Sequence, residues 1–276
     1  MKTILGIFAH PDDEVFAAGG VLAKYGSSGE HTVLLCATRG EAGEISDPAL
    51  ATRENLATVR TAELQQAVAA LGIDELHFLG FRDSGMVGTP ENEDERSLHQ
   101  AEPSEAVRRI VTLMRAVKPD VVITHDPTGG YGHPDHIAVY KHVTAAFDVV
   151  GDATHFPAAG AAWQPARLYY QVVPKSFFHT MQAQMKAAGV DTSTWDRLGF
   201  ENLGVEEHEI THIVDVTGQY EQKIAAYDAH KTQFGPENPM RQMPEELRRQ
   251  VFARETFIQA RPALVASTAQ SHDLFE

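Results

Sequence analysis

The sequence has little cysteine, little positive charge and no long apolar run, and each shortage narrows what the protein can be. Cys36 is the only cysteine among 276 residues, so no disulfide can form within the chain and we expect a reducing compartment. Lys and Arg number 23 against 38 Asp and Glu, a formal charge of -15, which argues against nucleic-acid binding because phosphate contacts need clustered basic residues. No stretch approaches the ~20 apolar residues of a membrane span, and the apolar run after Met1 is too short for a signal peptide. We therefore expect a cytoplasmic protein that binds neither nucleic acid nor membrane.

What the first half of the chain does contain is a regular alternation of apolar runs and helical periodicity. The runs at 3–9, 31–38, 76–79 and 120–124 read as buried strands, and the segments at 15–27, 51–71, 104–117 and 137–149 read as helices. Strands that alternate with helices predict an α/β fold with a mostly parallel sheet. The Gly-, Pro- and acid-rich loop at 81–103 is too long for a simple connection, so we expect a rim or lid over the site.

The second half is less regular and begins with an Ala-, Gly- and Pro-rich loop at 151–165. We predict strands at 168–173 and 210–216, helices at 175–188, 217–232 and 244–258, and a frayed tail at 267–276. The most economical division is a catalytic core at 1–150 and a C-terminal α/β extension at 151–276. The extension would cover the sheet edge and complete the substrate pocket within one continuous domain.

Two clusters of histidine and aspartate carry the chemistry, and each directly follows a predicted strand, where α/β folds place their sites. A single His-Pro-Asp tripeptide is typical of a turn, but two that are enriched in further His and Asp favour a shared metal site. A zinc hydrolase typically uses three protein ligands and keeps one position open for water. Two His and one Asp would suffice, which leaves a carboxylate and an imidazole for acid–base work. The residues alone leave open which aspartate binds and which catalyses. The clusters comprise His10, Asp12, Asp13 and Glu14, and His133, Asp135 and His136.

Together, the motifs Ala-His-Pro-Asp-Asp-Glu at 9–14 and Gly-His-Pro-Asp-His at 132–136 resemble those of the LmbE/PIG-L superfamily of zinc-dependent N-deacetylases. The nearest branch is the mycothiol type, which includes inositol-linked GlcNAc deacetylases and conjugate amidases. The resemblance runs from residue 3 to about residue 145. It implies a Rossmann-like fold, one Zn²⁺ per chain with Fe²⁺ as a competitor, and removal of the N-acetyl group from a GlcNAc-containing small glycoside.

The same resemblance assigns roles to the motif residues. His10, Asp13 and His136 match the metal ligands, and Asp12 matches the general base. His133 matches an imidazolium that stabilises the oxyanion, and Asp135 matches the carboxylate that orients this imidazole.

Three further residues match substrate-contacting positions of the family, although each has an ordinary structural alternative. Arg60 could be a solvated helix residue, Asp83 part of an Asp-Ser-Gly turn, and Tyr131 a surface tyrosine. His125 reads as a supporting or core histidine outside the site. The segment 230–233, His-Lys-Thr-Gln, resembles a C-terminal family segment that lines the pocket, and a polar helix end is the alternative.

Other activities fit the same motifs. The first alternative is an amidase of thiol-sugar conjugates. This interpretation is weaker, because the chain has Val15-Phe16-Ala17-Ala18 where those enzymes carry a lysine. A chitooligosaccharide deacetylase is a second alternative, and a non-catalytic metal- or sugar-binding protein is a third. The sequence leaves the aglycone open, and also whether the chain forms a homo-oligomer.

Overall fold

The computed structural model describes residues 1–187, 189, 191–192, 203–264 and 270–276. Its described strands form one seven-stranded sheet in the order β3-β2-β1-β4-β5-β7-β6. Strands β1 to β5 pair in parallel, whereas β7 runs antiparallel to both β5 and β6. The strands are β1 (Thr3–Phe8), β2 (His31–Cys36), β3 (Glu75–Phe78), β4 (Val121–Thr124), β5 (Arg167–Val172), β6 (His212–Asp215) and β7 (Arg254–Arg261).

Helices cover both faces of this sheet, so the central strands are buried on each side, as their continuous apolar runs predict. None of the described helices is both long and apolar enough to cross a membrane. The helices are α1 (Asp13–Ala17), α2 (Gly19–Ser27), α3 (Leu56–Leu71), α4 (Pro103–Val117), the single turn α5 (Gly129–Gly132), α6 (Pro134–Val149), α7 (Lys175–Ala187), α8 (Tyr220–Ala229), α9 (Pro239–Gln242) and α10 (Glu245–Val251).

The position of β1 determines where a site can form. The chain leaves β1 toward β2 on one side, whereas β4 pairs with β1 on the other. The carboxyl ends of β1 and β4 therefore border the point at which the strand order reverses, which is where open α/β sheets bind ligands. Both His/Asp clusters follow these two strands. The predicted α/β, Rossmann-like fold is confirmed.

Most elements lie within a few residues of their predicted positions, but the region 244–258 was predicted wrongly as one helix. Helix α10 ends at Val251, and the chain then enters β7. The buried face of β7 carries Glu255 and Gln259 beside Phe257. These polar residues interrupt the alternation of apolar and polar residues by which a strand is predicted. Pairing with β5 and β6 on both sides decides the outcome.

The last residues are also not a frayed tail where the structure describes them. Ser271 forms a bridge with His212, and the Leu274 side chain is fully buried. The Leu274 N–H donates to the Tyr25 hydroxyl at 2.9 Å, and its carbonyl accepts the Tyr169 hydroxyl at 3.0 Å. Residues 267–269 of the predicted tail and Ala188 of the predicted helix lie outside the described residues.

The loop at 81–103 packs against the core instead of forming a detached lid. Arg82 and Ser97 form a bridge across it, and Ser84, Ser97 and Leu98 are buried. Asn92 donates to the Ser84 carbonyl from within the same loop. The segment is therefore an ordered rim that holds Ser84 beneath the site.

Candidate active site

The first cluster forms a tight turn between β1 and α1. Asp12 has φ 122° and ψ -26°, a conformation that non-glycine residues rarely adopt. Such strain costs roughly 1–3 kcal/mol and is concentrated at functional sites. The Asp12 N–H donates to Glu14 Oε2 at 2.9 Å, and Asp13 Oδ2 accepts the N–H groups of Ala9 and His10 at 3.1 and 2.8 Å. These bonds fix the backbone of the turn and the direction of the Asp13 carboxylate.

His10, Asp13 and His136 lie close together beyond the carboxyl ends of β1 and β4. His10 Nδ1 lies 3.2 Å from His136 Nε2, and His136 Nε2 lies 3.2 Å from Asp13 Oδ1. His10 Nδ1 lies 3.6 Å from Asp13 Oδ2. Ligands at the ~2.0–2.1 Å bond lengths of a tetrahedral zinc stand about 3.3 Å apart. The two histidines thus approach different oxygens of Asp13, and His136 is the residue shared by two groups of possible metal ligands, one with His10 and His133 and one with Asp13 and His125, in each of which the ligand atoms lie within 4.8 Å of one another.

Contacts on the far side of each ring set the histidine tautomers. His136 Nδ1 lies 3.2 Å from the Gly129 carbonyl, and His10 Nε2 lies 3.1 Å from Asp135 Oδ2. Each acceptor requires the hydrogen on the nitrogen that faces it, which leaves a lone pair on His136 Nε2 and on His10 Nδ1. Two lone pairs and a carboxylate directed at one another suit a divalent cation.

Electrostatics support this arrangement. Burial would raise the pKa of Asp13, but the positive character of His136, with His10 and His125 also close by, holds it well below its ordinary value. Burial would lower the pKa of His10, yet the Asp83 charge and hydrogen bonds to Asp13 and Asp135 raise it well above its ordinary value. The pocket therefore favours positive charge at its centre.

Asp12 stands beside this cluster as a separate carboxylate. Burial raises its pKa to about 6, although the nearby Arg60 guanidinium opposes the shift. Arg60 Nη2 donates to Asp12 Oδ2 at 3.0 Å and to the Pro11 carbonyl at 2.5 Å. A carboxylate with a pKa near neutrality can take up and return a proton at working pH.

His133 lies beside His10, with the centroids of the two rings 4.5 Å apart. Its Nδ1 accepts the Asp135 N–H at 3.1 Å, which caps the start of α6. Burial, with the positive character of His10 and His136, lowers the pKa of His133 to about 3. These surroundings favour a neutral imidazole with its hydrogen on Nε2, whereas the resemblance implies an imidazolium at this position.

The expected contact between the Asp135 carboxylate and the His133 ring does not form. Asp135 Oδ2 instead accepts Ser84 N–H at 2.9 Å and faces His10 Nε2, and Oδ1 accepts the Ser84 hydroxyl. His133 caps α6 and Asp135 lies in the first turn of that helix, so their side chains leave the chain in different directions. Asp135 orients a predicted metal ligand, and Ser84 in turn holds Asp135.

Of the three residues predicted to contact substrate, two are largely engaged by the protein. Arg60 is 3% exposed and also donates to the Gly40 carbonyl, while its Nε has no partner among the described residues. Asp83 is equally buried and accepts the Gly85 and Ala42 N–H groups at 2.8 and 3.1 Å. Tyr131 is 51% exposed, and its ring stands edge-on to His136.

Two cavities meet at this centre, and Asp12, Asp13 and Tyr131 line both. The smaller, of about 120 Å³, also contains Arg60, Asp83, His133 and Gln233. The larger, of about 350 Å³, extends away beneath residues of the C-terminal extension. A scissile bond at the centre would therefore have room on both sides.

Two further histidines support the site; from the sequence, His125 was expected to lie outside it, and His230 was identified only as part of a segment that resembles a pocket-lining one. His125 stacks on His136 with ring centroids 4.0 Å apart, and its Nε2 lies 3.4 Å from Asp13 Oδ2. His230 lies 2.6 Å from Glu14 Oε1, and both side chains are fully buried. The position of His125 at the end of a buried strand was an available signal. No local signal links His230 to Glu14, which precedes it by 216 residues.

Comparison with known proteins gives consistent results. The family described as PIG-L: GlcNAc-PI de-N-acetylase matches residues 5–147. The chain is 33% identical to the 1D-myo-inositol 2-acetamido-2-deoxy-alpha-D-glucopyranoside deacetylase of Geodermatophilus obscurus, over 99% of this chain and 97% of that protein. It is 38% identical to the protein of the same name from Rhodococcus erythropolis, over 84% of this chain and 81% of that protein.

Among solved structures, the N,N'-diacetylchitobiose deacetylase from Pyrococcus horikoshii superposes with a TM-score of 0.67. That likeness covers 94% of this chain and 83% of the other at 20% identity. At this identity it establishes the fold alone.

Proposed function

The chain belongs to the PIG-L family of metal-dependent GlcNAc-PI de-N-acetylases, and from that premise we propose that it removes the N-acetyl group from a GlcNAc-containing small glycoside with zinc as its metal. The enzyme is an N-deacetylase, a hydrolase of linear amide C–N bonds. The curated relatives are named for GlcNAc linked to 1D-myo-inositol, and we propose this glycoside as the substrate. The products are acetate and a free amino sugar.

The observation that carries the proposal is the convergence of His10, Asp13 and His136 with Asp12 beside them. A non-catalytic binding protein has no need for a second, partly buried carboxylate with a raised pKa of about 6 beside the ligand set. Two imidazoles and one carboxylate form a ligand set typical of catalytic zinc. Fe²⁺ accepts the same ligands and is the competing metal.

When bound, the divalent ion supplies Lewis acidity, which polarises the amide carbonyl and makes water more acidic. Asp12 accepts the proton of the attacking water, and its raised pKa lets it pass that proton to the departing amine. His133 donates its Nε2 hydrogen to the carbonyl oxygen as negative charge develops there. Asp135 keeps His10 in its tautomer, and Arg60 fixes the direction of Asp12.

The smaller cavity suits the sugar. Arg60, Asp83 and Gln233 line it with charged and amide groups, which match sugar hydroxyls, although Arg60 and Asp83 also bond within the protein. The cytoplasm remains the predicted compartment, and the C-terminal extension at 151–276 supplies the rest of the pocket. An amidase of thiol-sugar conjugates and a chitooligosaccharide deacetylase remain the alternative activities.

A substrate panel tests the proposal. We would load the purified chain with Zn²⁺ and measure acetate and amine release from GlcNAc linked to inositol, to malate and to a second GlcNAc. The inositol glycoside should have the highest kcat/KM, and chelation should stop release. A preference for the GlcNAc dimer would support the chitooligosaccharide alternative, and no release from any member would refute the function.

Asp12→Ala identifies the base. We expect kcat to fall about 10²- to 10⁴-fold, because Asp12 transfers the proton, while the protein still binds one equivalent of zinc. Asp228→Asn, at an exposed aspartate on α8, is the control and should retain wild-type activity. An active Asp12→Ala enzyme would contradict the assignment.

A further inference from the structure

The larger cavity has a different chemical character from the smaller one. Its walls away from the centre are apolar except for Gln171, and residues of the C-terminal extension supply most of them. We call it the apolar chamber; its apolar lining includes Phe16, Val172, Val173, Phe178, Leu203 and Phe234.

The polar groups of the apolar chamber are engaged by the protein itself. Asp126 Oδ1 accepts the N–H groups of Thr128 and Gly130 at 3.1 and 2.9 Å. His125 Nε2 accepts the Ala9 N–H at 3.2 Å. Since these bonds remain within the protein, the chamber gives a ligand mostly apolar contact.

Aromatic packing fixes one wall of the apolar chamber. Phe16 is 39% exposed, and its ring stands edge-on to Phe234 with centroids 5.7 Å apart and stacks on Phe252 at 5.6 Å. A wall held from behind in this way keeps its shape when a ligand enters. The exposed part of Phe16 is therefore a preformed apolar surface.

The two cavities share Asp12, Asp13 and Tyr131, so they meet where the amide is cleaved. With the sugar in the smaller, polar cavity, the acyl group of the amide points into the apolar chamber. A methyl group would leave most of about 350 Å³ unfilled. We propose that the apolar chamber is an acyl-binding subsite and that the enzyme hydrolyses amino-sugar amides with unbranched acyl groups longer than acetyl.

This inference rests on the proposed function but goes further, because it names the acyl side of the substrate. The reaction is balanced as in deacetylation: water adds its oxygen to the acyl carbon, the C–N bond breaks, and the amine gains the proton. Each methylene buried in the chamber is expected to raise kcat/KM by up to about fourfold.

The test compares methyl glycosides of glucosamine that carry acetyl, butanoyl or hexanoyl on nitrogen, with amine release as the readout. We expect kcat/KM to rise at least about tenfold from acetyl to hexanoyl. A fall along the series, with acetate still released, would overturn the acyl subsite and leave the deacetylase function intact. Octyl and methyl glycosides of GlcNAc form a second arm, and a gain confined to the octyl glycoside would mean that the chamber binds the aglycone instead.

Binding of carboxylate products tests the chamber without turnover. Hexanoate should bind the zinc-loaded protein at least about tenfold more tightly than acetate, as measured by calorimetry. Equal affinities would overturn the proposal even if the sugar assignment were wrong. This measurement uses the wild-type protein and does not depend on how any variant folds.

Val173→Trp fills the chamber. The hexanoyl substrate should then lose its advantage, so that the ratio of its kcat/KM to that of the acetyl substrate falls to about one or below. Ala116→Trp places the same bulk on the exposed face of α4 and should leave both that ratio and the basal rate unchanged. A wild-type ratio in Val173→Trp would show that acyl chains do not enter the chamber.

Discussion

Replacement of Asp135 separates the role that the structure gives it from the role expected from the sequence. Asp135 Oδ2 faces His10 Nε2 at 3.1 Å and accepts Ser84 N–H, so it fixes the tautomer of a predicted metal ligand. Loss of such an outer partner typically lowers metal affinity 10- to 100-fold, or about 1.4–2.7 kcal/mol.

Substitution of Asp135 by Asn and by Ala should lower zinc affinity by different amounts. Asn keeps an oxygen that can accept from His10 and Ser84 but removes the negative charge, so we expect zinc affinity to fall about tenfold. Ala removes the acceptor as well, so His10 loses its tautomer preference and the fall should reach about a hundredfold. Ala also leaves the buried Ser84 N–H without its acceptor, at a further cost of about 1–3 kcal/mol in unfolding free energy.

The assay is competition for zinc against a chromogenic chelator, combined with kcat measured at saturating zinc. Asp148→Asn, at a half-exposed surface ion pair with Arg261, is the matched control and should match the wild type. The reasoning would be refuted if Asp135→Ala bound zinc as tightly as the wild type and lost only kcat. That result would return Asp135 to its expected role beside His133.

Three further predictions concern other parts of the chain. Lys223→Met leaves the Glu255 carboxylate buried without its cation, since both side chains are 2% exposed. The unfolding free energy measured in urea should fall by about 3–5 kcal/mol. A variant as stable as the wild type would contradict this. His230→Phe removes the partner of Glu14, and the Glu14 carboxylate in turn fixes the turn at Asp12. The value of kcat at saturating zinc should therefore fall, while KM changes little. A change confined to KM would point to a different role. Chelation should lower Tm by about 5 °C relative to protein at a hundredfold excess of zinc over Kd, and calorimetry that shows no difference would argue against a metal bound by the native state.

The sequence was sufficient to predict that the two motifs meet. The apolar runs at 3–9 and 120–124 are long enough and continuous enough to identify buried parallel strands. Parallel strands present their carboxyl ends at one edge, so residues that follow β1 and β4 meet there whatever the length of chain between them. The order of residues within each motif then allowed the family's roles to be assigned to single side chains.

The sequence could not identify the partners of those side chains. Asp135 is two residues from His133 in the chain, yet the start of α6 turns its carboxylate to His10 and Ser84. The pairing of Glu14 with His230 depends on α8 lying across the core. Such pairs form because a buried polar group must find a partner, and packing of distant elements decides which partner is within reach.

The same distinction holds for the fold. Local periodicity determined the strands and helices of the first half, because their buried faces are mostly apolar. Only the tertiary structure determined β7, whose buried face includes Glu255 and Gln259, and the C-terminal residues 270–276, which Tyr25 and Tyr169 hold. There, contacts with distant residues outweigh local preference, since free energy depends on what the neighbours bury and bond as well as on the segment itself.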